Sequence, residues 1–156
     1  ALAESVSLAV LDDDEALFIA RAEAEHIGVR VGARLPAYCS ATGRVLLSQF
    51  PDQEILGRIG RKPLARRTSH TLTKPSEVLA EVRSVREKGY AVSDEELELG
   101  LRALAVPVTG ANHEIIGAVS VSAASARVRS TDLRRRFVPV LRSFATMLAE
   151  AFQSVD

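Results

Sequence analysis

The residues best placed to do chemistry in this sequence are hydroxyls and free backbone amides, not strong acids, bases or metal ligands. Around Cys39-Ser40-Ala41-Thr42-Gly43 the apolar period changes from that of a strand to that of a helix, and Ser40 reads as the N-cap. The N–H groups of residues 41 to 43 then lack intrahelical partners and favour a carboxylate or another anion. Helix-end electrostatics are worth about 0.3–2 kcal/mol, whereas micromolar affinity needs about 8 kcal/mol. Serine hydroxyls, a cation such as Arg34 and apolar walls must supply the rest.

A second set of hydroxyls lies in the clearest hairpin. Ala103 to Thr109 and Glu114 to Ser122 flank Gly110-Ala111-Asn112-His113, a connection rich in turn formers. This loop sets Ala105 opposite Ala118 and Ala103 opposite Ser120. Side chains alternate along a strand, so Leu104, Val106, Val108, Val119 and Val121 share one bulky face. Ala103, Ala105, Ala118, Ser120 and Ser122 share the other. Small residues with hydroxyls make a pocket floor; the same pattern also admits a closely packed helix.

Catalysis finds no motif. There is no G-x-S-x-G, H-E-x-x-H or P-loop, and His26, His70 and His113 are scattered. Neither a cofactor nor a metal is expected. Cys39, the single cysteine, reads as a small core residue beside the pocket and excludes an intramolecular disulfide, in keeping with a reducing, cytoplasmic setting. Adjacent carboxylates Asp94-Glu95-Glu96 diverge and read as a charged loop. Gly57-Arg58-Ile59-Gly60 has the GxxG form of RNA-binding KH loops, but Pro63 interrupts the helix it would feed, so it reads as a turn. Arg134-Arg135-Arg136 reads as a solvated face or as a contact to acids of a partner subunit, such as Asp12 to Glu15 or Glu95 to Glu98.

The elements that position these groups fit one domain. The chain has 156 residues, 47% of them apolar and 4% aromatic, with 20 basic and 20 acidic side chains. Zero net charge argues against direct nucleic-acid contact, and no run suits a membrane span or a signal peptide. Val6 to Leu11 and Ala16 to Ala22 read as a hairpin about Asp12-Asp13-Asp14-Glu15, with a third strand over residues 29–35 broken by Pro36. The Ser40 helix is expected to run about three turns, to Pro51. Pro75 opens another helix that ends at Gly89, followed by a strand over residues 90–93. Phe137, Val140, Leu141, Phe144, Leu148, Ala151, Phe152 and Val155 form a helical stripe, with a start or kink at Pro139. Strands mixed with few helices predict an antiparallel α+β domain.

Taken in order, the segments carry a resemblance. Residues 32–47, Thr68-x-x-Thr71-x-Thr73, residues 89–96, residues 99–108 and Ala118-Val119-Ser120-Val121-Ser122 are together similar to the effector-binding domain of IclR-type transcription regulators. The resemblance implies a GAF-like fold, an antiparallel sheet of about six strands flanked by helices over residues 1–156. It implies a small organic acid as ligand and self-association into a dimer or tetramer. DNA would be bound only through an N-terminal winged helix-turn-helix domain that is absent from this chain. Residues 34–38 are most similar to the branch that controls aromatic-acid catabolism through the β-ketoadipate pathway, where protocatechuate or 4-hydroxybenzoate are typical ligands. The family's contacts map onto Ala41, Thr42, Ser93, Ala103, Ser120 and Ser122. Members that bind small keto acids carry Asp and Cys where this chain has Ser93 and Ala103, which favours a larger, less polar acid here. The ligand-binding set is therefore Arg34, Cys39, Ser40, Ala41, Thr42, Gly43, Ser93, Ala103, Ser120 and Ser122. The alternative is a stand-alone GAF-like binding domain without a transcriptional role.

Overall fold

The two apolar runs that meet at the acidic tetrad pair as strands β1 (Ser5–Asp12) and β2 (Glu15–Ala22). Their turn is tighter than expected, because Asp12 and Glu15 still pair across the ladder. Only Asp13 and Asp14 turn, with Asp13 at φ 58°, a left-handed conformation that aspartate tolerates. The computed structural model describes residues 5–22 and 30–154; His26, Val29 and Val155 lie outside them. The third strand is shorter than predicted. β3 comprises Arg34–Pro36 alone, because Gly32 at φ 86° turns the chain and leaves Val31 61% exposed. Pro36 does not break the strand but ends it, on a sheet edge where no neighbour needs its N–H.

The helix capped by Ser40, α1 (Ala41–Leu47), makes about two turns instead of three. Pro51 then caps α2 (Asp52–Ile59), a helix the sequence reading lacks; Gly57, Arg58 and Ile59 of the expected turn belong to its last turn. α3 (Pro75–Lys88) ends as predicted at Gly89, whose φ is 77°. β4 (Ala91–Asp94), β5 (Leu101–Thr109) and β6 (Ile115–Ala124) follow, and α4 (Ser130–Gln153) closes the chain. Pro139 does not start α4 but lies inside it. It sits on the exposed side, where the carbonyl it frees can turn to water.

The six strands form one antiparallel sheet in the order β3-β2-β1-β6-β5-β4. The β5–β6 register differs from the predicted one by two residues: Ala103 faces Ser122, and Ala105 faces Ser120. The shift follows from a longer connection, closed by Gly110 N–H to Glu114 O at 2.8 Å, with an irregularity between Val108 and Thr109. An even shift leaves every side chain on its predicted face. Leu104, Val106, Val108, Val119 and Val121 pack beneath α4 with Leu133, Phe137 and Leu141. On the other face, Ala105 and Ala118 lie under Ala41, Val45 and Leu46 of α1. The small-residue face divides between its two ends. Toward Ala105 and Ala118 it admits a close helix; toward Ala103, Ser120 and Ser122 it stays open.

Candidate functional site

That open end is a cleft. Ser40, Ala41 and Thr42 from the α1 start, Ser93 of β4, Ala103 of β5, and Ser120 and Ser122 of β6 line it. Phe18, Leu35, Leu97 and Leu101 complete its walls. The cavity proper is narrow, about 30 Å³, at the base of a cleft of about 390 Å³ that takes in open solvent. Seven of the ten residues singled out from sequence thus converge. Arg34, Cys39 and Gly43 do not line the cleft. Arg34 is half exposed and pairs with Asp12. Cys39 is fully buried in the neighbouring cluster with Ala37, Leu47 and Val78, and burial pushes its thiol up to about 11. Gly43 is a packing residue: a Cβ there would lie 2.2 Å from Ala37 Cα.

The polar groups divide into satisfied and unsatisfied ones. Ser40 Oγ donates to Pro36 O at 2.8 Å and accepts from Gly43 N–H at 3.2 Å. The cap therefore consumes one of the three amides expected to be free and leaves those of Ala41 and Thr42. Ser93 Oγ donates to Cys39 O at 2.8 Å, so its hydroxyl ties β4 to the 3₁₀ turn Ala37–Cys39. Thr42 differs. Its Oγ1 is buried and has no hydrogen-bond partner among the described residues. An unpaired buried hydroxyl costs about 1–3 kcal/mol. A ligand acceptor or donor in the cleft would relieve that cost. The hydroxyls of Ser120 and Ser122 line the same cleft. Among those residues, no cluster of three or more His, Cys, Asp or Glu could hold a metal ion, and no helix is long and apolar enough to cross a membrane.

This arrangement is that of a known class of domain. Residues 1–150 match the family model for the C-terminal domain of the bacterial transcriptional regulator IclR. The chain belongs to the IclR C-terminal family. Members are the effector-binding domains of transcriptional regulators, as the sequence resemblance implied, and the relatives matched are named regulators, activators and repressors, not enzymes. The IclR domain here is 40% identical over 144 residues to the Pca regulon regulatory protein of Pseudomonas putida, covering 90% of this chain and 50% of that protein. It is 35% identical to the p-hydroxybenzoate hydroxylase transcriptional activator of Acinetobacter baylyi, covering 91% of this chain and 55% of that one. The chain spans about half the length of the curated relatives it matches. Its fold matches the inducer-binding domain of PobR from Acinetobacter, a double mutant in complex with 3-hydroxybenzoic acid. The TM-score is 0.88 at 32% identity, over 94% of this chain and 88% of that one.

The sequence reading missed four walls of the cleft and one buried ion pair. Phe18, Leu35, Leu97 and Leu101 carry no signal beyond apolarity. Arg44, 1% exposed at its side chain, makes a bidentate pair with Glu96 at 2.8 and 2.5 Å and donates to Tyr38 O at 3.0 Å. The acidic run does diverge, but Glu96 is not a solvated loop charge. Asp94 pairs with Arg102, and Glu95 accepts from Gly100 N–H. Three of the acids weighed as partners for the Arg134 cluster have partners within the domain: Arg34 holds Asp12, Arg61 holds Asp13 and Arg44 holds Glu96.

Proposed function

We propose that this IclR domain senses an aromatic carboxylic acid of the hydroxybenzoate type in the cleft between α1 and β6. The observation that carries the reading is the buried, unpartnered Thr42 hydroxyl at the cleft's base. Beside it lie the free amides of Ala41 and Thr42 and the hydroxyls of Ser120 and Ser122. A carboxylate at that end gains several hydrogen bonds to its charged form, each worth about 1.5–3 kcal/mol. The ring then lies among Phe18, Leu35, Leu97 and Leu101, where burial is worth about 25 cal/mol per Å². Ala103 and Ser93 are small, which suits a ring better than a short keto acid. The 3-hydroxybenzoic acid held by the PobR domain, and the p-hydroxybenzoate and Pca regulators among the relatives, support the same class.

Ligand occupancy would act by population shift. The acid favours whichever quaternary arrangement binds it better, and a DNA-binding domain outside this chain reads the result. Self-association has a surface to use: Val140, Phe144 and Met147 of α4 are exposed at the 4-3 spacing of a helix-packing seam. Calorimetry with 3- and 4-hydroxybenzoate, protocatechuate and pyruvate tests the reading. Micromolar binding of the aromatic acids, weakened about tenfold or more by Thr42→Val, is expected. Binding of pyruvate alone, or aromatic binding indifferent to Thr42→Val, refutes it.

A further inference from the structure

Two motifs singled out in the sequence, Thr68-x-x-Thr71 and Asp94-Glu95-Glu96, meet in one polar network behind the cleft. Thr68 Oγ1 donates to Glu95 O and Thr71 Oγ1 to Glu96 O, both at 2.6 Å. Thr71 Oγ1 also accepts from the amides of Thr68 and Arg67, at 2.9 and 3.1 Å. From the other side, the Arg44 guanidinium grips the Glu96 carboxylate. Arg44 stands about one helical turn from Ala41. The segment so held runs from Glu95 to Leu101 and is also closed on itself. Glu95 N–H donates to Leu101 O at 3.0 Å, and Glu95 Oε1 accepts from Gly100 N–H at 2.9 Å. Glu95 holds φ 56°, an uncommon value for a residue other than glycine, while Gly100 at φ 86° takes a turn that glycine adopts freely. Leu97 and Leu101, two of the cleft's apolar walls, sit on this segment.

We infer that the Arg44–Glu96 pair and the Thr68 and Thr71 hydroxyls form a positioning clamp that sets the spacing between the Leu97–Leu101 wall and the α1 start, and with it the largest acid the cleft admits. The inference rests on the effector-site reading above. None of the four residues lines the floor beside Ser120 and Ser122, so the clamp acts through Leu97 and Leu101. Its chemistry fits that role. A bidentate guanidinium–carboxylate pair fixes orientation as well as distance, and threonine hydroxyls on carbonyls fix the backbone that carries the leucines.

The test compares Thr71→Val, which removes the hydroxyl at nearly constant volume, with Thr71→Ser, which keeps it. Dissociation constants for benzoate and the longer 4-phenylbenzoate are measured on the 156-residue chain, together with amide hydrogen exchange over residues 96–101 without ligand. Wild type and Thr71→Ser should prefer benzoate by about tenfold or more. Thr71→Val should narrow that preference by about fivefold or more and speed exchange over 96–101 by about tenfold or more. A purely structural role weakens both acids alike, so an unchanged preference, or unchanged exchange, overturns the clamp. If Thr71→Val fails to fold, Thr68→Val carries the same comparison. Failure of wild type to bind either acid refutes the effector reading, and the clamp's role in selection falls with it; binding with an unchanged preference refutes the clamp alone.

Discussion

Gly43→Ala adds one methyl group at the most crowded point of the α1 start. A Cβ there would stand 2.2 Å from Ala37 Cα, and 2.6 Å from both Ala37 O and Ser40 Oγ. Two of these three atoms are backbone, so no rotamer change clears the collision. α1 and the 3₁₀ turn Ala37–Cys39 must instead part by about 1 Å inside a fully buried region. Overpacking of this kind costs about 1–3 kcal/mol and occasionally more. Replacing a helical glycine returns at most about 1 kcal/mol. Because the clash is with backbone, the cost falls at the upper end, and a net loss of about 2–3 kcal/mol is expected. With a urea slope of about 2 kcal/mol/M, the unfolding midpoint drops by about 1 M or more. Gly57→Ala provides the contrast, since its Cβ would meet nothing within 4 Å on the exposed side of α2. That variant should gain up to about 1 kcal/mol. Urea titration followed by far-ultraviolet circular dichroism measures both. A Gly43→Ala midpoint at or above wild type, or equal responses from the two glycines, refutes the close-packing account of this motif.

Other expectations follow from single groups. Cys39, with its thiol pushed up to about 11 by burial, has about one thiolate in ten thousand molecules at pH 7. A thiol reagent should react with it only in denaturant, and rapid labelling of the native chain would contradict its placement. The Glu95 carboxyl is held below the usual glutamate range, first by the Gly100 amide and then by the Ser125 hydroxyl. A depressed folded value stabilises the 95–101 segment above the ordinary pKa and loses that contribution as pH falls through the folded one. An NMR titration should place Glu95 below a free glutamate, and Ser125→Ala should raise it; an unchanged value in that variant counts against the assignment. Phe144, 40% exposed on α4, should weaken self-association when changed to Glu. Sedimentation velocity that finds the same oligomer in wild type and F144E excludes this seam as the interface.

The fold was legible where a signal is both local and periodic. Both hairpins, the α3 stop at Gly89 and the opposed faces of β5 and β6 follow from alternation and turn chemistry. The β5–β6 register was not legible, because loop length alone cannot reveal the irregularity beside Thr109. The error was harmless, since a shift of two preserves parity; a shift of one would have exchanged the serine face for the valine face. The expected helix start at Pro139 failed for a tertiary reason. Leu133, Phe137, Val138, Leu141 and Ala145 bury one continuous stripe against the sheet, which outweighs one missing hydrogen bond on the wet side. β3 failed the other way. The pattern of Val29, Val31, Ala33 and Leu35 alternates, but Gly32 turns the chain, and the strand is confined to Arg34–Pro36.

The site divides along the same line. Ser40, Ala41, Thr42, Ala103, Ser120 and Ser122 could be placed together because each belongs to an element whose face the sequence reveals. Arg34, Cys39 and Gly43 are neighbours in sequence of those residues, and proximity along the chain proved a poor guide. Around a helix start, one residue faces the cleft, the next faces the core and another packs on a turn. The cleft walls come from β2, β3 and the 95–101 segment, joined only by the fold. One further signal was present in the chain. Ala-Thr-Gly-Arg-Val-Leu-Leu, residues 41–47, holds a single charge in a helix buried on every side. A guanidinium in such a place must find an anion, since leaving it unpaired costs far more than any packing gain returns. The only question was which carboxylate, and the acidic run at residues 94–96 offered three. That Glu96 supplies it, 52 residues along the chain, makes Arg44 the point where the cleft-lining helix start and the leucine-bearing wall are joined.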